Sequence, residues 1–252
     1  MPYNSTLAPP PPIPRPHAKA IAHWTHTLAI VLFLLLSAAL TSHRAASIAE
    51  AAPHLLRYAT TIALEWLLLG SVVAGIYSRR EFFNTTFLNR SFTFPTSLGL
   101  GVLVYGIGFI AMGIAALSLF ATPLIHKHNE AVVLAMLPHT PLEFAVWFLV
   151  ALTAGISEEL VFRGYLLQQL TAWTQRPIAA ILIAGTLFGC LHLYEGLAAI
   201  VPLAVLGIVY GFVVRHFKGD LRAVIVAHTL QDFLVALFAL ARPFAESHQP
   251  HP

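Results

Sequence analysis

Charge is scarce in this sequence. Asp, Glu, Lys and Arg make up 10% of its 252 residues, against 58% hydrophobic residues. A soluble globular domain carries about a quarter charged residues, so a soluble enzyme and a disordered chain both give way to a polytopic membrane protein. An excess of one sign is missing too. Fourteen Lys/Arg against 11 Asp/Glu leave a formal +3, too little for a phosphate-binding surface, which excludes nucleic acid as a partner. Cysteine is nearly absent: Cys190 alone forms no internal disulfide and no Cys-based zinc finger. No internal repeat is present, so an inverted-repeat transporter has no support.

What is there is a series of long apolar runs. Residues 1–20 read as a Pro-rich cytoplasmic tail, too polar and too broken by Pro9, Pro10, Pro11 and Pro12 to span a membrane. Apolar segments follow at about Ile21–Thr41, Arg57–Tyr77, Ser97–Ala121, Glu143–Ser157 continuing past Arg163, Ile178–Tyr194, Leu197–Arg215 and Leu221–Ala241. Each approaches the ~20 residues that cross a hydrocarbon core. The expected fold is therefore all-α, a polytopic transmembrane helix bundle of about seven spans. Residues 21–140 form N-terminal transmembrane helices, 141–240 a C-terminal transmembrane domain and 241–252 a polar tail. With the N-terminus inside, ten of the 14 Lys/Arg fall on cytoplasmic segments, the asymmetry expected of that orientation.

An ionised side chain at mid-bilayer costs at least about 2.5–3.5 kcal/mol, so ionisable residues inside spans need partners or a task. They concentrate in the C-terminal half: Glu158, Glu159 and Arg163, then His192, then His228 and Asp232. The chain turns at Gln175-Arg176-Pro177, where proline breaks a helix. Glu158 and His192 stand equally far, seventeen residues, on either side of Gln175. An antiparallel hairpin sets them at one depth. The helix from Glu143 to Thr174 would be about 45 Å long, longer than the bilayer core, which predicts that Gln168 and Gln169 project into the cytosol. His228 lies about nine residues beyond the next cytoplasmic turn, Lys218-Gly219-Asp220, and reaches the same layer. His228 and Asp232 share a helix face at i and i+4, as do Glu159 and Arg163 in the acid-first order that favours an ion pair. Glu158 lies about 100° from Glu159 around the helix, so one acid can pair with Arg163 while the other stays free.

Three motifs carry a family resemblance: Glu158-Glu159-Leu-Val-Phe-Arg163, Phe188-Gly-Cys-Leu-His192 and His228-Thr-Leu-Gln-Asp232. In this order, each within an apolar helix, they resemble the CPBP intramembrane protease family, which includes type II CAAX prenyl proteases and bacteriocin self-immunity proteins. The resemblance covers about Pro141 to Leu240. It implies hydrolysis of a peptide bond in a membrane-associated substrate, either prenylated and CAAX-type or otherwise membrane-anchored. Glu158 would activate water with His192 orienting it. His228 and Asp232 would stabilise the oxyanion, with Glu159, Arg163 and Phe188 as structural support. Asp232 departs from the Asn form of the third motif. An ionised Asp donates no hydrogen bond, so it must be protonated, orient His228 or bind metal. Glu158, His192, His228 and Asp232 are also the candidate zinc ligands, although no His-Glu-x-x-His is present. A buried Glu158 beside His192 favours a metal-free glutamate base, with zinc as the alternative. The expected partners are membrane lipid and a membrane-associated peptide.

Blander readings stand beside these. His192 could be a packing histidine with Glu195 at i+3, and His228/Asp232 a polar pair joining helices. Cys190 reads as a small buried residue. Glu65 is a lone carboxylate in the second span with no evident partner. Phe82, Phe83, Phe87, Phe92 and Phe94 among basic residues suggest an interfacial stretch on the inner leaflet. The alternative functions are a non-catalytic immunity or peptide-binding membrane protein, and an ion-coupled transporter using the buried acids and histidines as a relay.

Overall fold

The computed structural model describes residues 18–51, 53–79, 92–119, 122–123 and 130–246, and these are helical throughout apart from turns. In chain order the helices are α1 (Trp24–Ala51), α2 (His54–Tyr77), α3 (Phe94–Ser118), α4 (Glu130–Met136) and α5 (Pro141–Glu159). A π-helical stretch (Leu160–Leu166) continues α5 into α6 (Leu167–Thr174). Then come α7 (Pro177–Leu191), a short 3₁₀ turn (Leu193–Glu195), α8 (Leu197–His216) and α9 (Arg222–Glu246). The bundle is the expected polytopic α fold. Among the described residues five helices are long and apolar enough to cross a membrane: Trp24–His43, His54–Tyr77, Phe94–Ser118, Pro141–Thr174 and Leu197–His216. The other two expected spans are also helices, α7 being shorter and α9 carrying His228 and Asp232. The Pro-rich tail over 1–17, Phe82, Phe83 and Phe87 of the aromatic stretch, and the tail beyond 246 lie outside the described residues.

Local chemistry sets the helix ends. Thr140 and Glu143 form a capping box at the start of α5, with Pro141 in the first turn, where a missing N–H costs nothing. Thr93 is the N-cap of α3, its side chain accepting from the Thr96 amide, and Pro177 opens α7. Lys218 and Gly219 both take positive φ, 53° and 91°, to reverse the chain between α8 and α9.

Large apolar side chains face outward. Leu28, Leu32, Leu36 and Leu40 of α1 are exposed, as are Leu64, Trp66 and Leu67 of α2. This is the face a bilayer covers, and close packing inside relies instead on small residues. Gly155 of α5 lies against Ile225 and Thr229 of α9, and Gly185 of α7 against Gly207 and Ile208 of α8. A Cβ at Gly185 would stand 2.7 Å from the Ile208 amide nitrogen. Gly185→Val is expected to push α7 and α8 apart at a cost of about 1–3 kcal/mol. A lowered Tm in detergent, followed by tryptophan fluorescence, checks it.

One expectation is overturned. Gln169 does not project into the cytosol but is fully buried. Its Oε1 accepts from the backbone amides of Ile21 and Ala22 at 2.7 and 3.2 Å, and its Nε2 donates to the Ala22 carbonyl and to Thr27 Oγ1. One turn earlier, the Tyr165 hydroxyl meets His26 Nδ1 and Thr27 Oγ1 at 2.7 and 2.8 Å. The segment before α1 has amides that no helix satisfies, and a glutamine offering both donor and acceptor meets that need. The N-terminal helix is thereby tied to the helix that carries the acids.

Candidate active site

Glu158 and Glu159 are the last two residues of α5, at the junction with the π-helical stretch. Such stretches favour functional sites because they turn side chains away from the regular α register. Arg163 lies within it and reaches back to Glu159, Nη1 donating to Oε1 at 2.8 Å. Its Nη2 donates to the Gly207 carbonyl of α8 at 3.2 Å. The guanidinium is boxed by aromatic faces, 4.6 Å from the centroid of Phe188 and 5.4 Å from that of Tyr210. Phe188 is thus in contact with the ion pair it was expected to support.

His228 of α9 completes a buried chain of charge-bearing groups. Its Nδ1 faces Glu159 Oε1 at 2.8 Å, so Glu159 lies between the guanidinium and the imidazole. The carboxylate of Glu159 accepts from Arg163, and the matching role at His228 Nδ1 is donor. That leaves Nε2 toward the remaining acids: 3.8 Å from Glu158 Oε2 and 3.6 Å from Asp232 Oδ2. These separations are ion-pair contacts longer than a hydrogen bond. Trp147 of α5 donates through Nε1 to the Asp232 carbonyl at 3.1 Å and tethers this turn of α9.

Exposure separates the two adjacent acids. The side chain of Glu159 is fully buried, whereas Glu158 is 21% and Asp232 31% exposed. Only Glu158 of the Glu-Glu pair is open to a water or a substrate.

His192 stands apart from the direct contacts. It caps α7, and its Nδ1 donates to the Phe188 carbonyl at 2.9 Å, a bond within its own helix end. The Phe188 ring lies between it and His228, with centroids 4.9 and 5.8 Å away. The structure therefore gathers Glu158, Glu159, Arg163, His228 and Asp232, and sets His192 beside them across Phe188. Committing Nδ1 to a carbonyl leaves Nε2 as the acceptor of a neutral imidazole.

Zinc requires its ligands at about 2.0–2.3 Å from one centre. Among the described residues no three His, Cys, Asp or Glu side chains converge in that way. One nitrogen of each motif histidine is taken, by Glu159 and by the Phe188 carbonyl. Nε2 is left on each ring, and among the described residues Glu158, His192, His228 and Asp232 are not gathered as a preformed zinc site.

Two neighbours were not legible in the motifs. Glu65 of α2 accepts from Ser157 Oγ at 2.5 Å. Tyr210 of α8 is fully buried, its ring 6.4 Å from that of His228. For Glu65 a signal existed, since it lies midway along its span as Glu158 does along its own. For Tyr210 none did, because a tyrosine in an apolar helix is unremarkable.

Fold and site together define an integral membrane protein with an acid–histidine cluster built inside its bundle. Residues 140–234 match the family model described as type II CAAX prenyl endopeptidase, Rce1-like. The resemblance carried by the three motifs is shown for this segment, and the family it names is one of membrane proteases, hydrolases of peptide bonds. No curated protein and no solved structure matches the chain.

Proposed function

We propose that this chain is an intramembrane endopeptidase that hydrolyses a peptide bond of a membrane-associated, CAAX-type prenylated substrate, with its N-terminus in the cytoplasm. The observation that carries the reading is the convergence of Glu158, His228 and Asp232 from two spans, with the open acid 3.8 Å from an imidazole. Glu158 takes a proton from water, whose oxygen attacks the scissile carbonyl carbon. His192 orients that water through its free Nε2. His228, held by Glu159 at Nδ1, donates from Nε2 to the oxyanion, a buried donor aimed where charge develops. Asp232, when protonated, adds a second donor. Glu158 then returns its proton to the amide nitrogen as the C–N bond breaks. Lipid-facing helices suit a substrate that arrives already anchored in the bilayer.

The test is cleavage of a panel of prenylated peptides by the protein in lipid vesicles, read by mass spectrometry. Cleavage by the wild type and none by Glu158→Gln supports the proposal. Chelator is expected to leave the rate unchanged. Asp232→Asn is a sharper check. An amide donates a hydrogen bond at every pH, so activity within about tenfold of wild type, a barrier change below ~1.4 kcal/mol, supports a donor role. Complete loss assigns Asp232 a task only a carboxyl performs.

A further inference from the structure

We propose that Glu65, on α2, is a positioning residue of this site: through Ser157 it holds the turn of α5 that presents Glu158. The inference rests on the hydrolytic reading above and adds to it a residue outside the matched segment 140–234.

Glu65 sits in the middle of α2, between side chains that face lipid. A carboxyl at that depth is retained only with a partner or a task. The partner is Ser157, whose Oγ donates to Glu65 Oε2 at 2.5 Å. Ser157 is fully buried and immediately precedes Glu158. A serine within a helix commonly bonds back to a carbonyl of its own preceding turn. Here the hydroxyl is turned outward to a neighbouring span instead. The location gives the bond its consequence. The helix changes from α to π at Leu160, three residues beyond Ser157, so the direction of Glu158 is set where the backbone is least regular. The Glu65–Ser157 bond clamps the near side of that junction, and the Arg163–Glu159–His228 chain clamps the far side. Ser157 is the residue next to Glu158, so the bond sets the Glu65 carboxyl against the turn that carries the open acid.

The experiment compares wild type, Glu158→Gln, Glu65→Leu, Glu65→Gln and Ser157→Ala in the vesicle assay with a prenylated peptide. A displaced reacting group costs up to ~10²-fold, so Glu65→Leu and Ser157→Ala are expected to lower kcat by about 10- to 100-fold with KM within about twofold. Glu65→Gln keeps an amide oxygen that accepts from Ser157 and is expected to recover kcat to within about threefold. Adding Ser157→Ala to Glu65→Leu should cost nothing more, because both remove one bond. Size-exclusion profiles and Tm in detergent show whether Glu65→Leu folds. If it does not, Ser157→Ala, which only deletes a hydroxyl, decides. Wild-type kcat in Ser157→Ala, with Glu158→Gln inactive, overturns the positioning role and leaves the hydrolytic reading intact. Glu65→Gln as inactive as Glu65→Leu also overturns it, because the charge and not the hydrogen bond would then matter. No cleavage by the wild type on any peptide overturns the hydrolytic reading and this inference with it.

Discussion

Glu158→Gln is expected to lower kcat/KM by about 10²–10⁴-fold, the range that a positioned general base contributes, while leaving the fold unchanged. The amide has the size of the carboxyl but accepts no proton from water. Glu158 can be changed with little structural cost because it is the partly open acid. Its contact with His228 is 3.8 Å long, and the His228–Glu159–Arg163 chain does not pass through it. Normal Tm with lost turnover is therefore the expected signature. The wild type should also lose activity as pH falls and Glu158 becomes protonated, since a base must be empty to act. Towards high pH activity should fall again, as His228 gives up the Nε2 proton that it offers to the oxyanion. A kcat/KM profile without an acid limb would remove Glu158 from the mechanism.

Arg163→Met and Glu159→Gln are expected to show the opposite signature. Both side chains are almost wholly excluded from solvent, and their 2.8 Å bond is shared with His228 and the Gly207 carbonyl. Removing one member of a buried pair strands the other, at about 3–5 kcal/mol. Arg163→Met leaves the Glu159 carboxylate with the imidazole alone. It also empties the space between Phe188 and Tyr210 that the guanidinium fills. Loss of folded protein, or a large fall in Tm, checks the expectation. An Arg163→Met protein with wild-type Tm would show that the pair contributes nothing to holding α5 against α8 and α9. Activity of any surviving Glu159→Gln protein should fall as well, because a neutral amide supports the doubly protonated His228 ring less firmly than a carboxylate does.

The part of the site legible in the sequence is the part that depends on depth and helical spacing. Glu159 and Arg163 stand four residues apart, and the ion pair their order favours is present at 2.8 Å. His228 and Asp232 share a face, and their side chains meet at 3.6 Å. Counting from the turn at Gln175 placed Glu158 and His192 at one level, and the Phe188 ring does bring His192 beside the cluster. The count fails on contact: depth is one coordinate of three, and His192, at the C-terminal end of α7, has its Nδ1 turned to its own helix. Gln169 misled for a related reason. A polar side chain past the expected end of a span reads as solvated, and only the backbone of Ile21 and Ala22, some 150 positions away, explains its burial.

From its sequence alone this protein is a bundle of apolar helices with ionisable residues held at one level of three of them. Hydrophobic run length, proline breaks and i, i+4 spacing are local quantities, and each is written in consecutive residues. The tertiary structure alone decided which of two neighbouring glutamates is open, that Glu159 joins Arg163 to His228, and that the lone Glu65 has Ser157 as its partner. Those outcomes depend on how each helix is rotated about its own axis against helices distant in the chain. That rotation is set by close contacts such as Gly155 on α9 and Gly185 on Gly207, which no single segment encodes.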